Sequence, residues 1–196
     1  MSKINEIQAA ILALEGGAYQ KLVDQYLHKK YHFENIQPLG VQNATNKSTK
    51  GIPDTYVIHD EKFILICYGT VSEQPADKIK RDIEDCINVA KTSIDTAKIA
   101  KIICCYTSAN ITPKQCEDLM LLGGGIEVEL IGLGTLSHDL ANNYRNIAVD
   151  HLQIRLDTHQ IFEIEDFVLA HDKSGTNSPI NTKFCFREDD LERVVI

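Results

Sequence analysis

Two β-rich runs separated by a short polar segment lie near the middle of the first 100 residues of the chain. TYVI occupies residues 55–58 and FILICY occupies residues 63–68, with HDEK at 59–62 between them. Such runs, bounded by turn-forming residues and so close together, predict an antiparallel hairpin. Beyond it, helical and apolar patterns alternate, which predicts parallel strands joined by helices. We therefore expect an α/β domain with a mixed central sheet flanked by helices.

Hydrophobic periodicity predicts the remaining elements. The pair Gly16 and Gly17 interrupts the first helical pattern, so that segment is either two helices or one bent helix. A later helix should begin with Thr112 as its N-cap and Pro113 in its first position. In chain order, the predicted elements are helices over 4–14 and 19–27, a short strand within 33–41, the hairpin strands, a helix over 79–90, a strand over 98–108, a helix over 113–122 and a strand over 126–133.

Beyond residue 143 the clear alternation of helical and strand patterns ends. HLQIRL at 151–156 is compatible with one more strand, and IFEIEDFVLAHD at 161–172 with a short helix. The run that follows is rich in Ser, Asn, Gly and Pro, which is typical of a linker. The last residues begin an amphipathic pattern that stops abruptly, which indicates either a piece of a longer protein or a frayed C-terminal helix.

Composition limits the classes of function. The net charge of −8 argues against a protein whose whole surface binds nucleic acid, because phosphate neutralisation needs clustered Lys and Arg. Residues 1–101 carry 13 basic and 13 acidic side chains, whereas residues 102–196 carry 7 and 15. A DNA-binding surface, if there is one, is therefore expected in the first half.

The cellular setting follows from segments that the sequence lacks. It has no apolar run of about 20 residues, as a membrane span requires, and no secretory signal pattern at its start. Its six cysteines include no C-x-x-C pair, which predicts reduced and mostly buried thiols. We expect a cytoplasmic protein with no membrane partner.

A short acidic motif precedes the hairpin. Gly51, Ile52, Pro53 and Asp54 lead into its first strand, and Glu15 lies on a helix upstream. Metal-dependent hydrolysis of a phosphodiester needs carboxylate oxygens to hold a hard cation and a basic group near the attacking water. An acid at the start of one strand and another about a dozen residues later, on the next strand, can face one ion because side chains alternate across a sheet.

Several segments resemble the Mrr-like branch of the PD-(D/E)XK nucleases, and more closely the N-terminal domains of the antiviral STAND NTPases. The segments are EGGAYQKLVDQYL at 15–27, GIPDTY at 51–56, FILICYGT at 63–70, KIKRDIE at 78–84, DTHQIF at 157–162 and TKFCFRE at 182–188. The resemblance implies a restriction-endonuclease-like nuclease domain over 1–145. It also implies an extension and linker over 146–183 and the truncated start of an NTPase module over 184–196.

The same resemblance implies roles for individual residues. Asp54 and Glu15 would be catalytic acids that hold Mg²⁺ or Mn²⁺. The strand positions that carry an acid and a lysine in the family are Cys67 and Gly69 here, and a thiol is a poor ligand for Mg²⁺. Glu73, Lys78 and Lys80 are candidates to replace these roles, and Lys78 is the one predicted to be catalytic. The predicted nucleic-acid contacts are Lys47, Lys50, Lys80 and Arg81.

Two hypotheses for function remain open at this point. The first is a metal-dependent endonuclease effector that acts on double-stranded DNA, forms a homo-oligomer through the full-length chain and serves in antiphage defence. The second is a nuclease-fold domain with a degenerate site that binds DNA or supports assembly. Cys67 and Gly69 favour the second hypothesis, whereas Asp54 and Glu15 favour the first. Each residue also has a structural alternative, such as a strand start for Asp54 or core packing for Cys67.

Overall fold

A computed structural model of the chain describes residues 2–39, 51–70, 74–108 and 111–154. The residues up to Leu156 form one compact unit. Its helices are α1 (Lys3–Leu12), α2 (Gly16–Tyr31), α3 (Pro75–Ile87), α4 (Val89–Thr92), α5 (Pro113–Leu121), α6 (Leu133–Asn142) and α7 (Arg145–Leu152). Its strands are β1 (Gln37–Pro38), β2 (Thr55–His59), β3 (Lys62–Gly69), β4 (Ile99–Tyr106) and β5 (Glu127–Gly132).

The five strands form one mixed sheet in the order β1-β2-β3-β4-β5. The first three strands pair antiparallel, and β3, β4 and β5 pair parallel. Helix α3 lies between β3 and β4 in the chain and α5 lies between β4 and β5, so each parallel pair is joined through a helix. The predicted α/β class and mixed sheet are confirmed.

Side-chain alternation along the strands divides the core into two layers. Ile66 of β3 and Ile103 of β4 pack on the face that carries α1, α2, α6 and α7. Cys67 and Cys104 point to the opposite face, which carries α3 and α5. The central strands are apolar on both faces because helices cover both, as expected for parallel strands in an α/β protein.

Local sequence signals set several of the element boundaries. Helix α1 ends at Leu12 and α2 begins at Gly16, so the two-helix interpretation of the N-terminal pattern is confirmed. Thr112 caps α5 through its side chain and forms a reciprocal capping box with Gln115, with Pro113 in the first turn. After α5, Gly124 and Gly125 have positive φ angles of 58° and 105°, a conformation that favours glycine and ends the helix.

The C-terminal part of this unit differs from the predicted pattern. Helices α6 and α7 follow β5, and neither was predicted. His151 and Leu152, the first residues of the segment considered as a strand, close α7 instead, because Ile147, Ala148 and Leu152 form an apolar face that packs into the core. None of the helices in the described ranges is both long and apolar enough to cross a bilayer.

Candidate active site

Asp54 lies at the edge of the sheet where β2 begins and β3 ends. Thr55 pairs with Ile66 across the hairpin, so the residue before it, Asp54, lies beside Cys67. This edge also holds the carboxyl ends of the parallel strands β3 and β4, where α/β proteins commonly bind ligands. The hairpin therefore brings together the two motif positions as the sequence predicted, although one of them is a cysteine.

The Asp54 carboxylate is fixed by the backbone of β3. Its Oδ2 accepts a hydrogen bond of 2.9 Å from the Tyr68 N–H. Burial, with smaller contributions from Cys67 and Asp82, raises the pKa of Asp54 to about 6 despite the lowering effect of this hydrogen bond. A half-buried carboxyl with a pKa near 6 is typical of functional sites, where burial and like charges shift the titration range.

Helix α3 places an ion pair opposite this carboxyl. Lys78 donates to both oxygens of Asp82 one turn later, with an Nζ to Oδ2 distance of 2.5 Å. Lys78 also lowers the pKa of Asp54 electrostatically. Burial raises the pKa of Asp82 to about 6. Asp54, Lys78 and Asp82 are called the polar cluster below.

The sulfur of Cys67 faces other thiols behind this cluster. Its Sγ lies 3.3 Å from the Sγ of Cys86 on α3. Hydrogen bonds from the Cys104 and Cys86 thiols lower the pKa of Cys67, while the same bonds raise the pKa values of Cys86 and Cys104. The five cysteines in the described ranges form no disulfide, and all but Cys116 are buried. The predicted burial is confirmed for this part of the chain, and the reduced state stays a prediction.

A second acidic group lies on the α2 face of the same edge. Asp24 accepts a hydrogen bond from the Tyr68 hydroxyl, while the N–H of the same Tyr68 holds Asp54. Burial raises the pKa of Asp24 to about 6, although hydrogen bonds from the Tyr68 and Thr55 hydroxyls act to lower it. Gln20 donates 3.0 Å to the Thr55 Oγ1 and 3.4 Å to the Asp54 carbonyl oxygen. Helix α2 thus holds the start of β2 from its other side.

Glu15, the acid predicted on the helix, is more exposed than Asp54, Asp82 and Asp24. Glu15 is the N-cap residue of α2, its side chain is exposed, and it makes no capping hydrogen bond. The α2 side chains that reach the β2 and β3 edge are Gln20 and Asp24. A role for Glu15 as a ligand stays a prediction.

The predicted DNA-contacting residues fall into two groups. Lys80 and Arg81 lie on the exposed side of α3, where Lys80 pairs with Glu84 at 3.9 Å and Arg81 Nε donates 3.2 Å to the Asp77 carbonyl. Lys47 and Lys50 lie outside the described residues.

Two glycines of the motif segments occupy different surroundings. A Cβ at Gly51 would meet the Leu39 Cβ at 3.0 Å and the Pro53 carbonyl oxygen at 3.1 Å, so a side chain there would be tight. A Cβ at Gly69 would meet only the Tyr106 Cβ, at an ordinary 3.7 Å. Close packing therefore favours glycine at position 51 but does not require it at position 69.

The donor chemistry of the polar cluster suits a hard cation only in part. Mg²⁺ in proteins is often held by one or two carboxylates and several waters, and Asp54 and Asp82 can supply two carboxylates. Within the described ranges, however, no group of three or more His, Cys, Asp and Glu side chains is arranged to hold a metal ion. Lys78 also already neutralises Asp82, so an ion would have to displace or share that contact.

Comparison of the chain with protein-family models, curated protein sequences and solved structures finds no significant match.

Sequence reasoning missed Asp24, Gln20 and Asp82 as parts of this edge. Asp82 was visible as the acid four residues after Lys78, the helical spacing for an ion pair. Asp24 and Gln20 share this spacing, and Asp24 follows the buried Leu22 and Val23. A carboxyl next to apolar positions of a helix was therefore the signal that could have identified Asp24.

Proposed function

We propose that this chain is a metal-dependent endonuclease module that hydrolyses phosphodiester bonds in double-stranded DNA, with the polar cluster as its centre. The observation that best supports the proposal is the placement of Asp54. Its carboxylate is anchored to the Tyr68 N–H beside the motif position on β3, and it faces a lysine and a second acid on α3. The resemblance to the nuclease domains of antiviral STAND NTPases supports the same reading of the site.

Each residue has a distinct role in this proposal. Asp54 and Asp82 would hold Mg²⁺ or Mn²⁺, which when bound polarises the phosphate and activates water. Lys78 would balance the negative charge of the phosphate once its partner Asp82 turns to the ion. Tyr68 fixes the orientation of Asp54 through its backbone, so that the carboxyl needs no reorganisation when DNA binds.

Plasmid cleavage tests the proposal. Supercoiled double-stranded DNA is incubated with the protein and Mg²⁺ or Mn²⁺, both with the chain alone and with the chain fused to an oligomerising coiled coil. We expect Asp54→Asn to lower the cleavage rate by more than about 100-fold, since even outer-shell partners of a metal site cost about 10- to 100-fold. The matched control is Asp77→Asn, an exposed acid on the same helix, which should retain wild-type cleavage.

A paired substitution identifies the second acid. If Asp82 completes the site, Asp82→Asn abolishes cleavage and Glu15→Gln leaves it unchanged. The reverse result would move the metal site to the start of α2, as the family resemblance implies. Cleavage that survives Asp54→Asn would remove Asp54 from the site altogether.

A module that binds DNA or supports assembly without cutting is the second candidate. It is favoured by Cys67, whose sulfur contacts other thiols, and by Gly69, which offers no lysine. In that case neither the single chain nor the fused oligomer cleaves DNA. DNA should still bind in the presence of a metal chelator, and Lys80→Glu with Arg81→Glu should weaken that binding, as measured by fluorescence anisotropy.

A further inference from the structure

We propose that Cys67 and Cys86 form a reversible disulfide when the protein meets a peroxide, and that this bridge ties helix α3 to strand β3. The two sulfurs are already 3.3 Å apart, whereas a disulfide bond is about 2.05 Å long. Cys67 lies on strand β3, and Cys86 lies on helix α3, which covers that face of the sheet.

The geometry favours Cys86 over Cys104 as the partner of Cys67. Cys67 and Cys104 face each other across the parallel strands β3 and β4, and their side chains stand on the same face. Neighbouring strands are about 4.8 Å apart and their side chains rise side by side, which exceeds the usual Cβ separation of a disulfide. Cys86 projects from α3, the helix that covers this face of the sheet, and its sulfur lies 3.3 Å from the sulfur of Cys67.

The polar cluster borders this pair and is the proposed route for a small oxidant. Cys67 is buried, but Lys78 and Asp82 beside it retain 32% and 18% of their side-chain exposure. Cys86 is fully buried, which makes Cys67 the first sulfur that a peroxide entering past the polar cluster would meet.

The reaction balances in two steps. Cys67 sulfur attacks one oxygen of hydrogen peroxide, the O–O bond breaks, and a sulfenic acid and one water form. Cys86 sulfur then attacks the Cys67 sulfur, the S–S bond forms and the S–O bond breaks. The departing hydroxide takes the Cys86 proton and leaves as a second water. Two thiols have been oxidised by two electrons and the peroxide has been reduced to two waters.

Thiol counting and peptide mapping test the bridge. The reduced protein has six thiols by titration in denaturant, and after peroxide treatment we expect four, with dithiothreitol restoring six. Digestion without reductant should yield one linked pair of peptides, containing Cys67 and Cys86. The test needs no nuclease activity, so it is independent of the proposed function.

Cysteine variants identify which thiol pairs with Cys67. Cys104→Ala should still form the bridge, whereas Cys86→Ala should yield no linked peptides and accumulate oxygen adducts on Cys67. A Cys67–Cys104 link, six persistent thiols, or oxidation that dithiothreitol does not reverse would each overturn the proposal. Mapping of the wild-type protein alone identifies the pair if a variant fails to fold.

Discussion

The Tyr19 hydroxyl, near the start of α2, is buried and has no hydrogen-bond partner among the described residues. Its ring packs edge-on against Tyr68, with the ring centroids 6.3 Å apart. Burial raises the pKa of Tyr19 well above its usual value, so the group stays neutral. A buried polar atom without a partner costs free energy, since it has given up its water.

This predicts that Tyr19→Phe leaves the free energy of unfolding unchanged or raises it by up to about 1 kcal/mol. The matched control is Tyr26→Phe, which removes a hydroxyl that donates 2.6 Å to Asp139 and accepts 2.8 Å from Lys30. It should cost about 1.5–3 kcal/mol, because both partners are charged. Urea unfolding of both variants measures the difference. Equal losses would mean that the Tyr19 hydroxyl does bind a partner, such as an ordered water.

Asp24 gives a second prediction at this scale, on pH dependence. Its pKa is raised to about 6 in the folded protein from an ordinary 3.8, so its stabilising contribution is present below the ordinary value and is lost as pH rises through 6. Asp24→Asn, which keeps an acceptor for the Tyr68 hydroxyl, should therefore gain stability relative to the wild type between pH 4 and pH 7. The gain should be on the order of 2 kcal/mol.

Asp139→Asn is the control of opposite sign. Burial acts to raise the pKa of Asp139, but Tyr26 and Lys30 bind the carboxylate and hold its pKa below the usual value. This carboxylate therefore stabilises the fold above its ordinary pKa and loses that effect as pH falls. The variant should be less stable than the wild type above pH 4, and this deficit should shrink as the pH falls below the ordinary pKa of 3.8. Unfolding midpoints at several pH values distinguish the two slopes, and parallel slopes would contradict the environment assigned to Asp24.

At the scale of single elements, β3 is the strand that connects the candidate site to the core. Its residues alternate between the two faces as the hairpin pattern predicts, and its pairing with β2 places Asp54 beside Cys67. Packing does not require glycine at position 69, because a Cβ there finds ordinary contacts.

We expect Gly69→Ala to be tolerated or to raise the free energy of unfolding by about 0.4–1 kcal/mol, since it restricts the unfolded chain without a clash. Gly51→Ala is the contrasting variant, because its Cβ meets Leu39 at 3.0 Å, and it should be destabilising. Thermal unfolding compares them. A large loss in Gly69→Ala would show that this end of β3 has no room for a side chain.

The elements that the sequence predicted well are those with a strong local signal. Thr112 and Pro113 marked the start of α5, and the apolar run of β4 marked a buried strand. The polar cluster was harder to predict, because no sequence spacing links Asp54 to Asp82. The packing of α3 on β3 brings the two residues together. Asp24 likewise acquires its neighbours Tyr68 and Thr55 only through tertiary packing.

At the scale of the whole molecule, the end of the first unit was the least predictable feature. Helix α7 begins at Arg145, where the predicted nuclease domain was to end, and its pattern is too short to distinguish from a strand by periodicity alone. Ile147, Ala148 and Leu152 nevertheless lie in the same core layer as α1 and α2.

This packing predicts that a chain of residues 1–156 is much more stable than one of residues 1–145. Removing α7 exposes the apolar surface beneath Ile147 and Leu152, and each such side chain contributes about 1.5–3 kcal/mol. Together these two side chains contribute about 3–6 kcal/mol, a large share of the about 5–15 kcal/mol by which a small domain is stable. Urea unfolding followed by circular dichroism compares the two chains, and equal midpoints would show that α7 is dispensable.

The strand order has a consequence for how the chain folds. Each strand of the sheet pairs with the strands that come directly before and after it in the chain. No pairing has to wait for a distant part of the polypeptide, so the cost of loop closure stays modest. During synthesis the sheet can grow one strand at a time, and the layer with α3 and α5 can close as soon as β5 emerges. The opposite layer can be completed only after α6 and α7 have emerged, because they pack against α1 and α2.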